Sequence, residues 1–336
     1  MKTSFLLAAA VAAAISSFAG ADIVPDGSLD GKYGDPLAVQ TVQTQFGDSN
    51  LGVIDYANGS ELDNAYAVIQ GETLYLFLGG NLESNFNKLE IFLDYREGGQ
   101  NKLRGDNPDV DFNGLNRLGD DGTGNGLTFD RGFAADFYVT MTCGGGPFST
   151  FANTSEVLSE GGGAGEYIGS GGAAEQVLQG SNGTIVAINN SNIGGVAGGT
   201  RPDNGSDVIT GMEFAIPLAL LSGYDGTGDI KVCAFVNGGG HDFVSNQVLG
   251  AMAGGNLGEP RLVDFNLLKG NQYFVVPGSG GGSGCTGDVN NELVVHASDL
   301  AIVLGAWGSP SADLNNDGTT DASDLAIVLG SWGACP

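Results

Sequence analysis

The oxygen-bearing side chains of residues 313–324 are spaced as a single peptide must space them to wrap a hard divalent cation. Asp313, Asn315 and Asp317 fall at positions 1, 3 and 5 of a twelve-residue loop, and Gly318 at position 6 permits the sharp turn. Thr319 offers a backbone carbonyl at position 7, Asp321 stands at 9 and Asp324 at 12. Ca2+ takes about six to eight oxygens, so the chemistry implied is calcium chelation, with a plain solvated acidic turn as the competing reading.

The pattern recurs 25 residues earlier in a worn form. Asp288, Asn290, Glu292, Val294 (through its carbonyl) and Asp299 occupy positions 1, 3, 5, 7 and 12. Leu293 replaces the turn glycine, where a positive φ would strain it, and His296 puts nitrogen at position 9. This loop is expected to bind weakly or not at all. Each loop runs into the same nonapeptide, ASDLAIVLG. Leu300, Val303, Leu304 and Trp307, and again Leu325, Val328, Leu329 and Trp332, lie at i, i+3, i+4 and i+7, which predicts two short helices packed stripe to stripe. Gly308, Ser309 and Pro310 exclude a helix entering the second loop, so each unit is half of a helix–loop–helix.

Other chemistry is sparse. His241 and His296 are the only histidines, which leaves little room for a histidine-based triad, and no G-x-S-x-G, H-E-x-x-H or P-loop pattern occurs. A carboxylate pair that hydrolyses glycosides stays open among 39 acidic residues. Asp106, Asp109, Asp111 and Asn113, followed by Asp120 and Asp121, could hold a second cation or form a solvated acidic loop. The formal net charge of -27 argues against nucleic acid and anionic membrane surfaces as partners.

These residues must be positioned by a chain that reads as mainly β. Lys2 followed by an apolar stretch and Ala19-Gly-Ala21 reads as a signal peptide over 1–21, too short to span a bilayer, so a secreted protein is expected, extracellular or attached to the cell surface. Residues 277–284 form a Gly/Ser linker between a domain at 22–276 and a module at 285–336. Strands are predicted at 74–78, 88–94, 136–141, 184–188, 212–216, 230–236 and 273–276, giving an antiparallel two-sheet β-sandwich. The Gly-, Ser- and Asn-rich stretch 144–207 is expected to be mostly loop. Four cysteines allow three pairings; domain logic favours Cys143–Cys233 in the large domain and Cys285–Cys335 clasping the small one.

Tandem half-EF-hands with twelve-residue loops resemble dockerin domains, and Cys285 with the ending Gly333-Ala-Cys-Pro336 looks like the cysteine-ended, dockerin-like tails of planctomycete exported proteins. That resemblance implies a Ca2+-dependent module that docks on a cohesin-like protein or a cell-surface assembly. Ala297-Ser298 and Ala322-Ser323 occupy the positions where dockerins carry partner-reading residues. The large domain resembles family 9 carbohydrate-binding modules and DOMON-like relatives at 26–30, 71–76, 89–94 and 211–217. It implies a β-sandwich that binds, with polysaccharide as a candidate ligand. That family clamps sugar between tryptophans, whereas Trp307 and Trp332 both lie in the small module, so Tyr95, Phe137 or Tyr138 would have to serve. The expectation is a non-catalytic binding or structural protein tethered outside the cell, the alternative an extracellular polysaccharide hydrolase carrying a dockerin.

Overall fold

A computed structural model describes residues 23–46, 59–172, 175–192, 194–196, 205–250, 254–278, 287–289, 294–309, 312, 314–315 and 319–334. The expected signal peptide, most of the linker, Cys285, Cys335, Asn290, Glu292, Asp313 and Asp317 lie outside them.

Between residues 23 and 278 the chain forms strands β1 (Ala38–Val39), β2 (Glu61–Gln70), β3 (Thr73–Asn81), β4 (Asn85–Asp94), β5 (Phe137–Gly144), β6 (Ser149–Glu156) and β7 (Gly165–Gly171). It continues with β8 (Glu175–Gln179), β9 (Ile185–Asn189), β10 (Gly211–Pro217), β11 (Ile230–Asn237), β12 (Val244–Val248) and β13 (Phe274–Val276). They form two antiparallel sheets. One runs β1-β2-β3-β10-β9-β8; the other runs β12-β11-β4-β5-β6-β7, with β13 also paired to β11.

Period-two alternation explains the sandwich. Leu74, Leu76 and Leu78 of β3 and Met212, Phe214 and Ile216 of β10 face Leu89, Ile91 and Leu93 of β4 and Val139 and Met141 of β5, all fully buried. Burying each such side chain contributes roughly 1.5–3 kcal/mol, so this layer is what orders the sheets. The outer face of the smaller sheet is covered by residues 23–33, where Ile23 and Tyr33 pack on Tyr66 and Phe77. Buried Glu213 fastens that strap by accepting from the Asp26 and Gly27 amides and the Tyr33 hydroxyl.

The outer face of the larger sheet is covered over part of its area. The β4–β5 connection, which includes the one-turn helix α1 (Gly114–Arg117), brings Leu103, Leu115, Leu127, Phe129 and Phe133 down onto Phe92, Tyr138 and Phe235 as a second core. Towards β6 and β7 that cover ends.

Two expectations change. Residues 144–207 hold β6, β7 and β8 as well as β9, the strand predicted at 184–188, where the rest was expected to be mostly loop. Cross-strand pairing, such as Tyr138↔Ser155 and Asn153↔Tyr167, carries these glycine- and serine-rich segments despite their weak intrinsic preference. Cys143 and Cys233 are free, buried thiols and not a disulfide. Cys143 points into the inter-sheet core and Cys233 into the outer core, so the larger sheet itself separates them.

Candidate ligand-binding site

Where the cover on the larger sheet ends, successive strands present a graded surface. Lys88 and Glu90 come from β4, Thr140 and Thr142 from β5, Phe151 and Asn153 from β6, and Tyr167 from β7. Nearest the covered side the residues are ionisable and buried; further out they are aromatic and open to solvent.

The buried part is a chain of polar contacts centred on His241. Its Nδ1 lies 2.7 Å from Glu90 Oε1 and its Nε2 lies 2.9 Å from Asp111 Oδ2. Asp111 also meets Lys88 Nζ at 3.0 Å. Glu90 accepts from the Tyr138 hydroxyl at 2.5 Å and from Asn237 Nδ2 at 3.0 Å. Burial opposes the charge on His241, but the Glu90 carboxylate and the hydrogen bond to Asp111 more than offset it, pushing its pKa up to about 9. Burial would likewise raise Glu90 and Asp111; the imidazolium, with Lys88 for Asp111, holds both below the usual carboxylate range. Two cations therefore balance two anions in the interior, the condition under which buried ions are tolerated.

Unusual backbone positions these groups. His241 has φ +52 in the turn after β11, where its amide donates to the Gly238 carbonyl. Asp111, Phe112 and Asn113 take φ +49, +57 and +66 in succession, and Phe86 takes +69 at a bulge in β4. The bulge turns Phe86 over Gly144, and any Cβ there would sit 2.3 Å from its ring. The imidazole lies against Gly114, whose Cβ would approach Nε2 to 2.2 Å.

Phe112 is 99% exposed, Tyr167 55% and Phe86 45%, so three rings stand in water on a folded scaffold. With Phe151 and Asn153 they line an open cavity of about 400 Å³ whose base is Thr142, Lys88 and Asp111. A second cavity of about 360 Å³, lined by Asn113, Asn116, Arg117, Asp120 and Arg261, shares Lys88, Asp111 and Phe112 with the first. Apolar rings beside a few fixed polar groups can hold the apolar face of a ring-shaped polyol while bonding its hydroxyls.

None of the aromatic residues expected from sequence belongs to this surface. Tyr95 and Phe137 are buried in the inter-sheet core and Tyr138 in the outer one, so Phe86, Phe112, Phe151 and Tyr167 take their place. The acidic run at 106–121 also resolves differently. Asp106 pairs with Arg104, Asp111 with Lys88 and His241, and Asp121 with Arg261, while Asp120 accepts from the Gly122 and Gly124 amides. Its carboxylates are taken up by separate partners, and no group of three His, Cys, Asp or Glu side chains is placed to hold a metal ion among the described residues. His241, unremarkable as a lone histidine, is the hub; the signal was its place in a triple-glycine turn between two strands.

At the C-terminal end, helices α2 (Ala297–Gly305) and α3 (Ala322–Gly330) follow the two loops. Position-12 Asp324 is buried: Oδ1 accepts from the Leu314 and Asn315 amides, and Oδ2 from Asp321. Those amides, Asp321 foremost, hold its pKa below the usual range. Asp299 repeats this with the Val289 and His296 amides. Asp321 caps α3 by accepting from Ser323, and His296 caps α2 through Nδ1 in the same manner. Asn315, Thr319, Asp321 and Asp324 give the second loop oxygen donors throughout its described part, which fits a hard cation; the first offers imidazole nitrogen at position 9, which does not. Val303 and Val328 are buried together with Val295 and Ala312. Leu304, Trp307, Leu329 and Trp332 remain exposed, so the two stripes meet over only half their length.

Compared with protein-family models, curated proteins and solved structures, the chain finds no match. No helix among the described residues is long and apolar enough to cross a membrane.

Proposed function

We propose that this chain is an exported, non-catalytic binding protein whose sandwich takes a polysaccharide in the aromatic groove and whose C-terminal repeat tethers it outside the cell. The observation that carries the reading is the exposure of Phe86, Phe112 and Tyr167 around one cavity built on β4–β7. Exposed aromatic side chains forgo roughly 1.5–3 kcal/mol each of burial, which a ligand can recover. The hydrolase alternative needs two carboxyl groups facing the substrate. Glu90 is fully buried with both oxygens engaged, Asp111 is tied to Lys88 and His241, Asp121 to Arg261, and Asp120 accepts from two loop amides, which favours binding over hydrolysis.

For the tether, Asp313, Asn315, Asp317, Thr319, Asp321 and Asp324 would hold Ca2+, which would supply a charge organising the loop ahead of α3. Leu304, Trp307, Leu329 and Trp332 offer apolar surface to a cohesin-like partner or surface assembly. The test is sedimentation with insoluble polysaccharides: the full chain should co-sediment with at least one, and a Phe86→Ala, Tyr167→Ala variant should not. Equal retention of both proteins, or release of reducing sugar by the native chain, would overturn the reading.

A further inference from the structure

The two cavities beside Phe112 have opposite characters. The first is bounded by Phe86, Phe151 and Tyr167; the second presents amides and side chains already in ion pairs. In the second, Arg117 forms a two-pronged bridge with Glu259, Nη1 to Oε1 and Nη2 to Oε2, both at 2.6 Å. Arg261 meets Asp121 at 3.1 Å, and Lys88 meets Asp111 at 3.0 Å. His241, which also lines this cavity, is held by Glu90 and shares Asp111 with Lys88, so each cation among the described lining residues meets a carboxylate. The carboxamide oxygen of Asn116 is buried and has no hydrogen-bond partner among the described residues, although its nitrogen donates to Asn113 Oδ1. A buried acceptor left in this state costs about 1–3 kcal/mol, which a small turn of the side chain towards a ligand donor in the cavity would recover.

Phe112 stands on the shared wall, with its backbone and both neighbours in the left-handed region. Asp111 beside it is fixed from behind by Lys88 and His241. The ring is therefore held on an anchored turn, flanked by an apolar cavity on one side and a hydrogen-bonding cavity on the other.

Resting on the groove reading above, we infer that Phe112 divides two subsites for one extended, uncharged polysaccharide chain, stacking at the Phe86–Tyr167 side and hydrogen-bonding at the Asn116 side. A short sugar fills only the stacking subsite, whereas a longer one crosses Phe112 and reaches Asn116. Anionic polymers are excluded twice, by the absence of an unpaired cation among the described lining residues and by the net charge of -27.

The experiment is titration calorimetry of the full chain with di- and hexasaccharides of β-1,4-linked glucose, xylose and mannose, and with hexagalacturonate. For the sugar that binds, the hexasaccharide should be held at least about tenfold more tightly than the disaccharide. Asn116→Ala should weaken the hexasaccharide about three- to tenfold and leave the disaccharide unchanged. Tyr167→Ala should weaken both. Phe112→Ala, at a fully exposed side chain, should leave the melting temperature in place and abolish the length dependence. Equal affinity for both lengths, with no effect of Asn116→Ala, would overturn the two-subsite inference while leaving the groove standing. Tighter binding of hexagalacturonate would overturn the uncharged class. Absence of binding to every sugar would remove the groove reading itself.

Discussion

Replacing His241 by Gln removes the one cation that touches both Glu90 and Asp111, and its effect should depend on pH in a defined direction. The imidazole pKa rises from 6.5 to about 9 on folding. A base raised by folding contributes its full stabilisation below the unfolded value and loses it as pH climbs through the folded one. The interval, at roughly 1.4 kcal/mol per pH unit, is worth about 3 kcal/mol. Urea unfolding of the full chain at steps from pH 6 to 10 gives the native curve, and the difference between native and His241→Gln chains isolates this group from the other titrations. The native chain should lose about 3 kcal/mol more than the variant between pH 6.5 and 9. At pH 6 the variant should be less stable by about 3–5 kcal/mol, the cost of leaving a buried charge without its partner. With only two histidines, His241 can be resolved in an imidazole NMR titration. Parallel stability curves for the two proteins, together with an imidazole pKa near 6.5, would show that Glu90 and Asp111 do not hold His241 as a cation.

Gly114→Ala would place a methyl group 2.2 Å from His241 Nε2 and should cost about 1–3 kcal/mol, read as a lower urea midpoint and a His241 pKa moved back towards 6.5. In the C-terminal loops, Asp313→Ala should weaken calcium binding in calorimetry, while Asp324→Ala should also reduce helix content by circular dichroism, because three backbone amides lose their acceptor. Burial pushes the Cys143 thiol up to about 12 and raises Cys233 well above its ordinary value. Both should stay unreactive to a thiol reagent in the native protein and titrate on unfolding, and peptide mapping should recover no Cys143–Cys233 link.

The sandwich was legible wherever strand burial follows one apolar face. Runs such as 88–94 and 230–236 alternate or stay apolar, and they became β4 and β11. β6, with sequence STFANTSE, and β7, with GEYIGSG, escaped because edge-side strands are held by pairing and carry little hydrophobic pattern. The groove was not legible for a related reason. Tyr138 and Tyr167 look alike in sequence, but the long β4–β5 connection covers the first and stops short of the second. The His241 hub joins Glu90, Asp111 and His241 across separations of 151 and 130 residues, which the packing of β4 beside β11, with the β4–β5 connection folded over them, brings together. Local signals did exist in Gly114 and Gly144, which are needed for close approach to His241 and Phe86.

The most direct test of the central claim is aromatic-ring NMR of the full chain during addition of a bound hexasaccharide. The rings of Phe86, Phe112, Phe151 and Tyr167 should shift and saturate together, while buried Tyr95, Phe137 and Tyr138 stay in place. Saturable shifts confined to other rings, with those four unmoved, would contradict it.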